Sequence, residues 1–274
     1  KIHWNNFPIA RLQPGRDYLE PEISLIVDDI IETGEKTKLK DYLEEWLEKK
    51  IKFVLKSLID LKSLKEKNAT IRALAYQLYE NNGVIKREAV TDYLKKLAQE
   101  ERKILRNLGV KFGRYHIFLF KLLKPEAVML RILLWKNYHQ KYFDLSPPKF
   151  GLNFIEDINF KNKNFMLLCG FENFGKYFVR IDILERLFVQ IINTNIENKD
   201  KNKEIKLIPE MLNLLGCNKE SFITLVQRMN YKTYEKNNEL YFKYFPSKIK
   251  IKKFSKNNQP NNNPFEILKN INFN

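Results

Sequence analysis

Cysteine is nearly missing from this sequence. The two cysteines in 274 residues, Cys169 and Cys217, lie far apart. Neither stands in a CxxC or Cys/His spacing, which argues against a disulfide scaffold and a structural zinc site. No apolar run approaches the roughly 20 residues needed to cross a bilayer. The polar opening KIHWNNFP is no signal peptide, so the expected location is cytoplasmic, with no membrane partner. Gly170 and Gly175 are not followed by a Lys-Ser/Thr pair and do not fit the dinucleotide spacing, so neither cradles a phosphate. No carboxylate pair, nucleophile triad or metal cluster emerges, and no catalytic or metal-ligating residue is assigned. Acidic residues are also in short supply, 33 against 49 lysines and arginines, for a net charge of +16.

What is present is enough for a folded protein. Hydrophobic residues make up 44% of the chain and aromatics 13%, and at roughly 150 residues per domain the length suggests two compact units. The positive surplus favours phosphate backbones or anionic surfaces. Abundant Lys and Asn can also follow from an AT-rich genome, so charge alone does not choose between a nucleic-acid binder and an interaction module. The chain opens without Met, and the expectation is a piece of something longer.

Local pattern divides the chain into four. Residues 1–35 carry Pro8, Pro14, Gly15 and Pro21 and read as a connector, with Trp4, Phe7 and Leu12 as anchors. Residues 36–145 read as a helical bundle: a long helix over 36–65, a second over 68–80 ended by Asn82-Gly83, and a third over 86–107 stopped by Gly109. The Lys/Glu alternation there suits a solvated surface, although Lys86, Arg87, Lys95, Lys96, Arg102, Lys103 and Arg106 form a basic ridge if their faces align. After Ser146-Pro147-Pro148, residues 152–245 form a second module. In it 165–168 and 177–179 look extended, 182–192 is a helix, and helix, tight turn, helix and hairpin over 208–244 give a winged-helix-like arrangement turning at Asn237-Asn238. Lys219, Thr224, Gln227 and Arg228 lie on its second helix, with Lys232, Lys236 and Lys243 on the wing. Residues 246–274 are a basic, Asn-rich and disordered tail ending in a docking segment with Phe265 and Leu268. The expected class is therefore mainly α with small β elements.

The stretch from Leu105 to Trp135 joins these parts. Gly109, Gly113 and Pro125 divide it into a helix end, an extended or sharply turned piece and a new helix whose expected buried residues are Val128, Met129, Ile132, Leu133 and Trp135. Around Lys111, Arg114, Tyr115 and His116, aromatic and basic side chains interleave, a combination suited to stacking on unpaired bases while Arg reaches phosphate. The same aromatics also suit a core. His116 has no carboxylate, Cys or second His at a useful spacing, so no ligand or general-base role is given to it.

The phrases RLQPGRDYLEPEISL, LGVKFGRYHIFLFKLLKPEAVMLRILLW, GKYFVRIDILERL, PEMLNLLGCNKESFITLVQRMNY and NPFEILKNINF, in this order, resemble the carboxy-terminal half of the bacterial Suv3-like helicases. These are a superfamily 2 group of alphaproteobacteria related to the mitochondrial RNA helicase. The resemblance implies two RecA-like motor domains preceding Lys1, where ATP and Mg would bind. This chain has no GxxxxGKS/T, DExH box or arginine-finger motif. It would therefore be a non-catalytic accessory region that contacts single-stranded or structured RNA and packs on its own motor domains, with an RNA-decay protein as a further partner. The nucleic-acid-binding residues expected are Lys111, Arg114, Tyr115, His116, Arg102, Arg106, Lys219, Arg228 and Lys232. The alternative is a protein-interaction module without specific nucleic-acid binding.

Overall fold

The structure is a computed structural model, described over residues 1–26, 32–66, 68–157, 162–197 and 204–245. The tail, with Phe265 and Leu268, lies outside the described residues. The fold is mixed α+β with helices predominant.

Residues 1–26 fold onto the protein as a three-stranded antiparallel sheet, β1 (Ile2–Trp4), β2 (Phe7–Gln13) and β3 (Glu22–Leu25). Asn5 and Asn6 make the first turn with φ of 45° and 69°, the left-handed pair that a two-residue hairpin needs. Ala10, Leu19 and Ile23 are buried in the first core. Of the expected anchors, Trp4 is 65% and Phe7 75% exposed, because both sit at the hairpin end, whereas Leu12 is half-buried and packs against that core. Asp17 holds the following turn in place by accepting from the Tyr79 hydroxyl at 2.6 Å and from Lys62 Nζ at 2.8 Å.

The long helix α1 (Thr33–Val54) passes through a short α2 (Lys56–Ile59) and a 3₁₀ segment over Asp60–Glu66. From there the chain runs through three related successions of elements, the middle one with a single helix between its first two strands. α3 (Ala69–Glu80) leads to β4 (Val84–Lys86), a 3₁₀ turn over Arg87–Val90, then α4 (Thr91–Lys96), α5 (Gln99–Asn107), β5 (Val110–Phe112) and β6 (His116–Leu119). Next, α6 (Pro125–His139) leads to β7 (Phe154–Glu156), α7 (Lys163–Leu168), β8 (Phe171–Phe174) and β9 (Tyr177–Arg180). Last, α8 (Ile181–Glu197) leads to β10 (Ile205–Lys206), α9 (Pro209–Leu215), α10 (Lys219–Arg228), β11 (Tyr231–Lys236) and β12 (Glu239–Tyr244). All three sheets are antiparallel, and in each the last strand takes the centre: β4-β6-β5, β7-β9-β8 and β10-β12-β11.

Local chemistry explains the boundaries. The Asn68 side chain caps α3 by accepting from Thr70 N and Ile71 N, and Asn82 and Gly83 end it with φ of 55° and 81°. Pro125 and Pro209 open α6 and α9 where no backbone donor is needed. Asn237 and Asn238, with φ of 53° and 62°, turn β11 into β12 at the expected place.

Four expectations change. The region 36–145 is not purely helical, because Val84–Lys86 and the 110–119 hairpin make a sheet within it. The helix expected over 86–107 is broken at Leu97 and Ala98, where Leu97 is extended. The Arg102 guanidinium donates to Leu94 O at 2.6 Å and Leu97 O at 3.3 Å, satisfying carbonyls that the break leaves free. Phe165–Leu168 is helical, started by Asn162 accepting from Phe165 N at 2.9 Å. On α6, Met129 and Leu133 face outward while Ala127, Arg131 and Leu134 are buried. Arg131 is wholly buried and donates to Asn82 O and Leu122 O, each at 2.7 Å. Burial lowers its pKa to about 10, which leaves it a cation at neutral pH.

Candidate functional site

The hairpin between β5 and β6 turns over residues 113–115, and its tip closes on a carboxylate from α8. Glu185 accepts from the backbone N–H of Arg114 at 2.5 Å, and from those of Tyr115 and His116 at 2.9 Å each. Gly113 allows this approach: a Cβ there would stand 2.3 Å from Glu185 Cδ. The tip is held from the other side too. The Arg87 guanidinium donates to Gly113 O at 2.7 Å, and Arg87 N donates to Tyr115 O at 2.8 Å.

Directly behind the tip, His116 is 1% exposed. Its Nε2 lies 2.7 Å from Glu172 Oε2 on β8, and Glu172 also accepts from Lys86 Nζ at 2.9 Å. Nδ1 has no hydrogen-bond partner and stands 3.8 Å from Glu185 Oε1, a charge contact. Burial pulls the His116 pKa down, but Glu172 and Glu185 together outweigh it and hold the value above the ordinary 6.5. Burial likewise pushes both carboxyls up. It is outweighed at Glu172 by His116 and Lys86, and at Glu185 by His116 and the three backbone donors, so both lie below their ordinary value. The cluster joins one histidine, one lysine and two carboxylates drawn from all three repeated units.

Above this cluster opens a cleft of about 1030 Å³. Lys86, Arg87 and Arg114 line it from the first unit, Glu172 and Phe174 from the second, and Phe188, Arg228, Tyr231, Lys243 and Tyr244 from the third. Of its five cations, Lys86 is taken up by Glu172 and Arg87 by a carbonyl. The side-chain cations of Arg114, Arg228 and Lys243 have no carboxylate within 4.0 Å among the described residues. Arg114 lies over the Phe188 ring at 5.5 Å. Tyr115 meets Phe188 edge-on at 5.6 Å, and its hydroxyl pairs with that of Tyr231. Glu88 is a second carboxylate on the wall. The arrangement combines fixed positive charge with aromatic faces in a concave space.

The expected site residues are thus sorted by the fold. Arg114, Tyr115 and Arg228 come together in the cleft. Tyr115 is half-buried and packs into the core of the third unit, so it is a wall of the cleft rather than a free stacking face. His116 is not a surface contact, because its ring is consumed by the buried carboxylates. Arg102 is spent on the carbonyls of Leu94 and Leu97. Arg106 lies over the Phe112 ring at 5.5 Å, Lys111 is exposed on β5, and neither lines the cleft. Lys219 pairs with Glu235 at 2.7 Å, and Lys232 lies over the Phe245 ring at 4.3 Å, both outside the cleft. Glu172 and Glu185 were missed altogether. They stand 56 and 69 residues from His116, where no local spacing reveals them.

Among the described residues no group of three His, Cys, Asp or Glu side chains is placed to hold a metal ion, and no helix is long and apolar enough to cross a membrane. Compared with protein-family models, with curated proteins and with solved structures, the chain matches none.

Proposed function

We propose that this chain is a non-catalytic, strand-binding part of an ATP-dependent RNA helicase, and that the cleft between the repeated units holds single-stranded RNA. One observation carries the strand-binding part: Arg114, Arg228 and Lys243 lack carboxylate partners among the described residues and converge on a cleft walled by Phe174, Phe188, Tyr231 and Tyr244. Phosphates attract the cations and release counterions, while aromatic faces accept any base by stacking. Concavity disfavours a duplex, whose bases are already stacked against one another. The helicase assignment rests on the sequence resemblance, which also supplies the motor domains, with their ATP and Mg, as the partner in cis and an RNA-decay protein as a partner in trans.

On this reading the third unit, Ile181–Tyr244, is a winged-helix module, with α9 and α10 as its helix pair and β11–β12 as its wing. The first unit, Ala69–Leu119, follows the same plan. The region from Thr33 to His139 serves as a helical scaffold around it. Fluorescence anisotropy with labelled single-stranded RNA, duplex RNA and single-stranded DNA at two salt concentrations tests the proposal. Binding to single strands that weakens with salt is expected, and no binding at low salt contradicts it.

A second reading, a protein-docking module, rests on α1, where Tyr42, Trp46 and Phe53 share one face and are 60%, 46% and 80% exposed. A patch of this kind is commonly a contact surface. On that reading the Trp46→Glu/Phe53→Glu variant is expected to lose partner capture, and the wild type is expected to show no specific strand affinity.

A further inference from the structure

The groups beneath the cleft bear on how it is regulated, and the argument rests on the strand-binding reading above. The hairpin tip that carries Arg114 has its backbone donors fixed by Glu185, and Glu185 in turn faces the His116 ring at 3.8 Å. The imidazole is therefore one side chain removed from the cation that the cleft presents. We infer that His116 and Glu185 are positioning residues of the cleft, and that binding of an anionic strand is coupled to protonation of His116.

The chemistry follows from which nitrogen keeps its hydrogen. With both nitrogens protonated, Nε2–H donates to Glu172 at 2.7 Å and the charged ring faces Glu185. A neutral ring has one N–H left. Kept on Nε2 it preserves the bond to Glu172 and turns the Nδ1 lone pair toward Glu185 Oε1. The cluster of Lys86, His116, Glu172 and Glu185 then passes from neutral to a net negative charge at the base of a space proposed to hold phosphate. Repulsion at Glu185 also loosens its hold on the Arg114 backbone.

Other charged groups face His116 from each of the elements packed around it. Lys86 comes from β4, Arg87 from the 3₁₀ turn that follows, Arg114 from the tip, Glu172 from β8 and Glu185 from α8. Glu88 stands on the cleft wall. Histidine is the side chain type in this cluster whose ordinary chemistry exchanges a proton near neutral pH. Linkage is reciprocal: if the protonated cluster favours the strand, the strand favours the protonated cluster by the same factor.

The test measures anisotropy of a labelled single-stranded RNA oligomer from pH 6 to 9 at constant ionic strength, alongside the NMR titration of the His116 ring with and without the oligomer. Wild-type affinity is expected to fall about tenfold as His116 loses its proton, within the range usual for coupled sites. The bound oligomer is expected to move the His116 titration to higher pH. His116→Gln, which keeps a donor for Glu172, is expected to bind with a flat pH profile, whereas His139→Gln keeps the wild-type slope. Should His116→Gln fail to fold, the NMR titration of the wild type decides alone. A strand that binds tightly with no slope and no change in the His116 titration overturns this inference and leaves the strand-binding reading intact. Absence of binding at every pH overturns both.

Discussion

The first and third repeated units share an order of elements and a strand order, yet they use their hairpin tips in opposite ways. In the third unit Asn237 and Asn238 turn in solvent, and a two-residue left-handed turn is all the sequence has to supply. In the first unit the tip at 113–115 is folded down on α8, where one carboxylate satisfies three consecutive N–H groups and an Arg from the far side holds the same loop. One topology therefore yields a free tip and a latched one. The difference lies in a Gly at 113 and a Glu at 185, which are 72 positions apart in the chain.

This comparison breaks most sharply at Glu185. Its removal by Glu185→Ala leaves three backbone donors and the buried His116 ring short of a partner. The expected cost is about 3–5 kcal/mol, the usual penalty for removing one member of a buried ion pair, and urea unfolding monitored by circular dichroism measures it. Gly113→Ala forces a Cβ against the same carboxylate and is expected to cost about 1–3 kcal/mol by overpacking. In a Glu185→Ala background that clash has no target. The double variant is therefore expected to lose less than the sum of the two single losses, a non-additivity typical of groups in contact.

The latched tip also sets a buried histidine between two carboxylates, whereas the free tip itself is a pair of asparagines. His116 has a raised pKa, so its contribution is complete below the ordinary 6.5 and is lost as pH rises through the raised value. Glu172 and Glu185 have lowered values, so their contribution is complete above the ordinary 4.5 and is lost as pH falls through the lowered ones. Stability measured by urea midpoint is thus expected to plateau between these two ordinary values and to decline on both sides. The smallest effects belong to the free tip. Asn238→Gly suits the left-handed backbone and Lys219→Ala removes an exposed pair, so each is expected to shift stability by no more than about 0.5 kcal/mol.

Legibility in the sequence followed the same division. Where a boundary is set by the residues at that boundary, it could be read: Asn68 and Asn82-Gly83 around α3, Pro125 at the head of α6, Gly216 after α9 and the Asn pair of the last hairpin. Where a distant or reaching side chain decides, it could not. Leu97 and Ala98 carry no breaker, and the break between α4 and α5 is held by Arg102 turning back on α4. Phe165 to Leu168 is a short apolar run, which periodicity alone does not assign to helix or strand. Lys/Arg patterns singled out Arg114 and Arg228 but also Arg102 and Lys219, because charge in a sequence does not tell which cations a carbonyl or carboxylate has already taken. The sequence places His116 among the strand contacts and shows no carboxylate near it, whereas two arrive through the fold.

The central claim is that Arg114, Arg228 and Lys243 hold the phosphates of a single strand in the cleft. The most direct measurement is the salt dependence of single-stranded RNA affinity for the wild type and for the Arg114→Ala/Arg228→Ala/Lys243→Ala variant. Each phosphate contact on a single strand contributes about 0.7 to the slope of log affinity against log salt. The expected result is a folded variant whose slope is lower by about 2 and whose affinity at low salt falls more than about tenfold. A folded variant with the wild-type slope and affinity would contradict the claim.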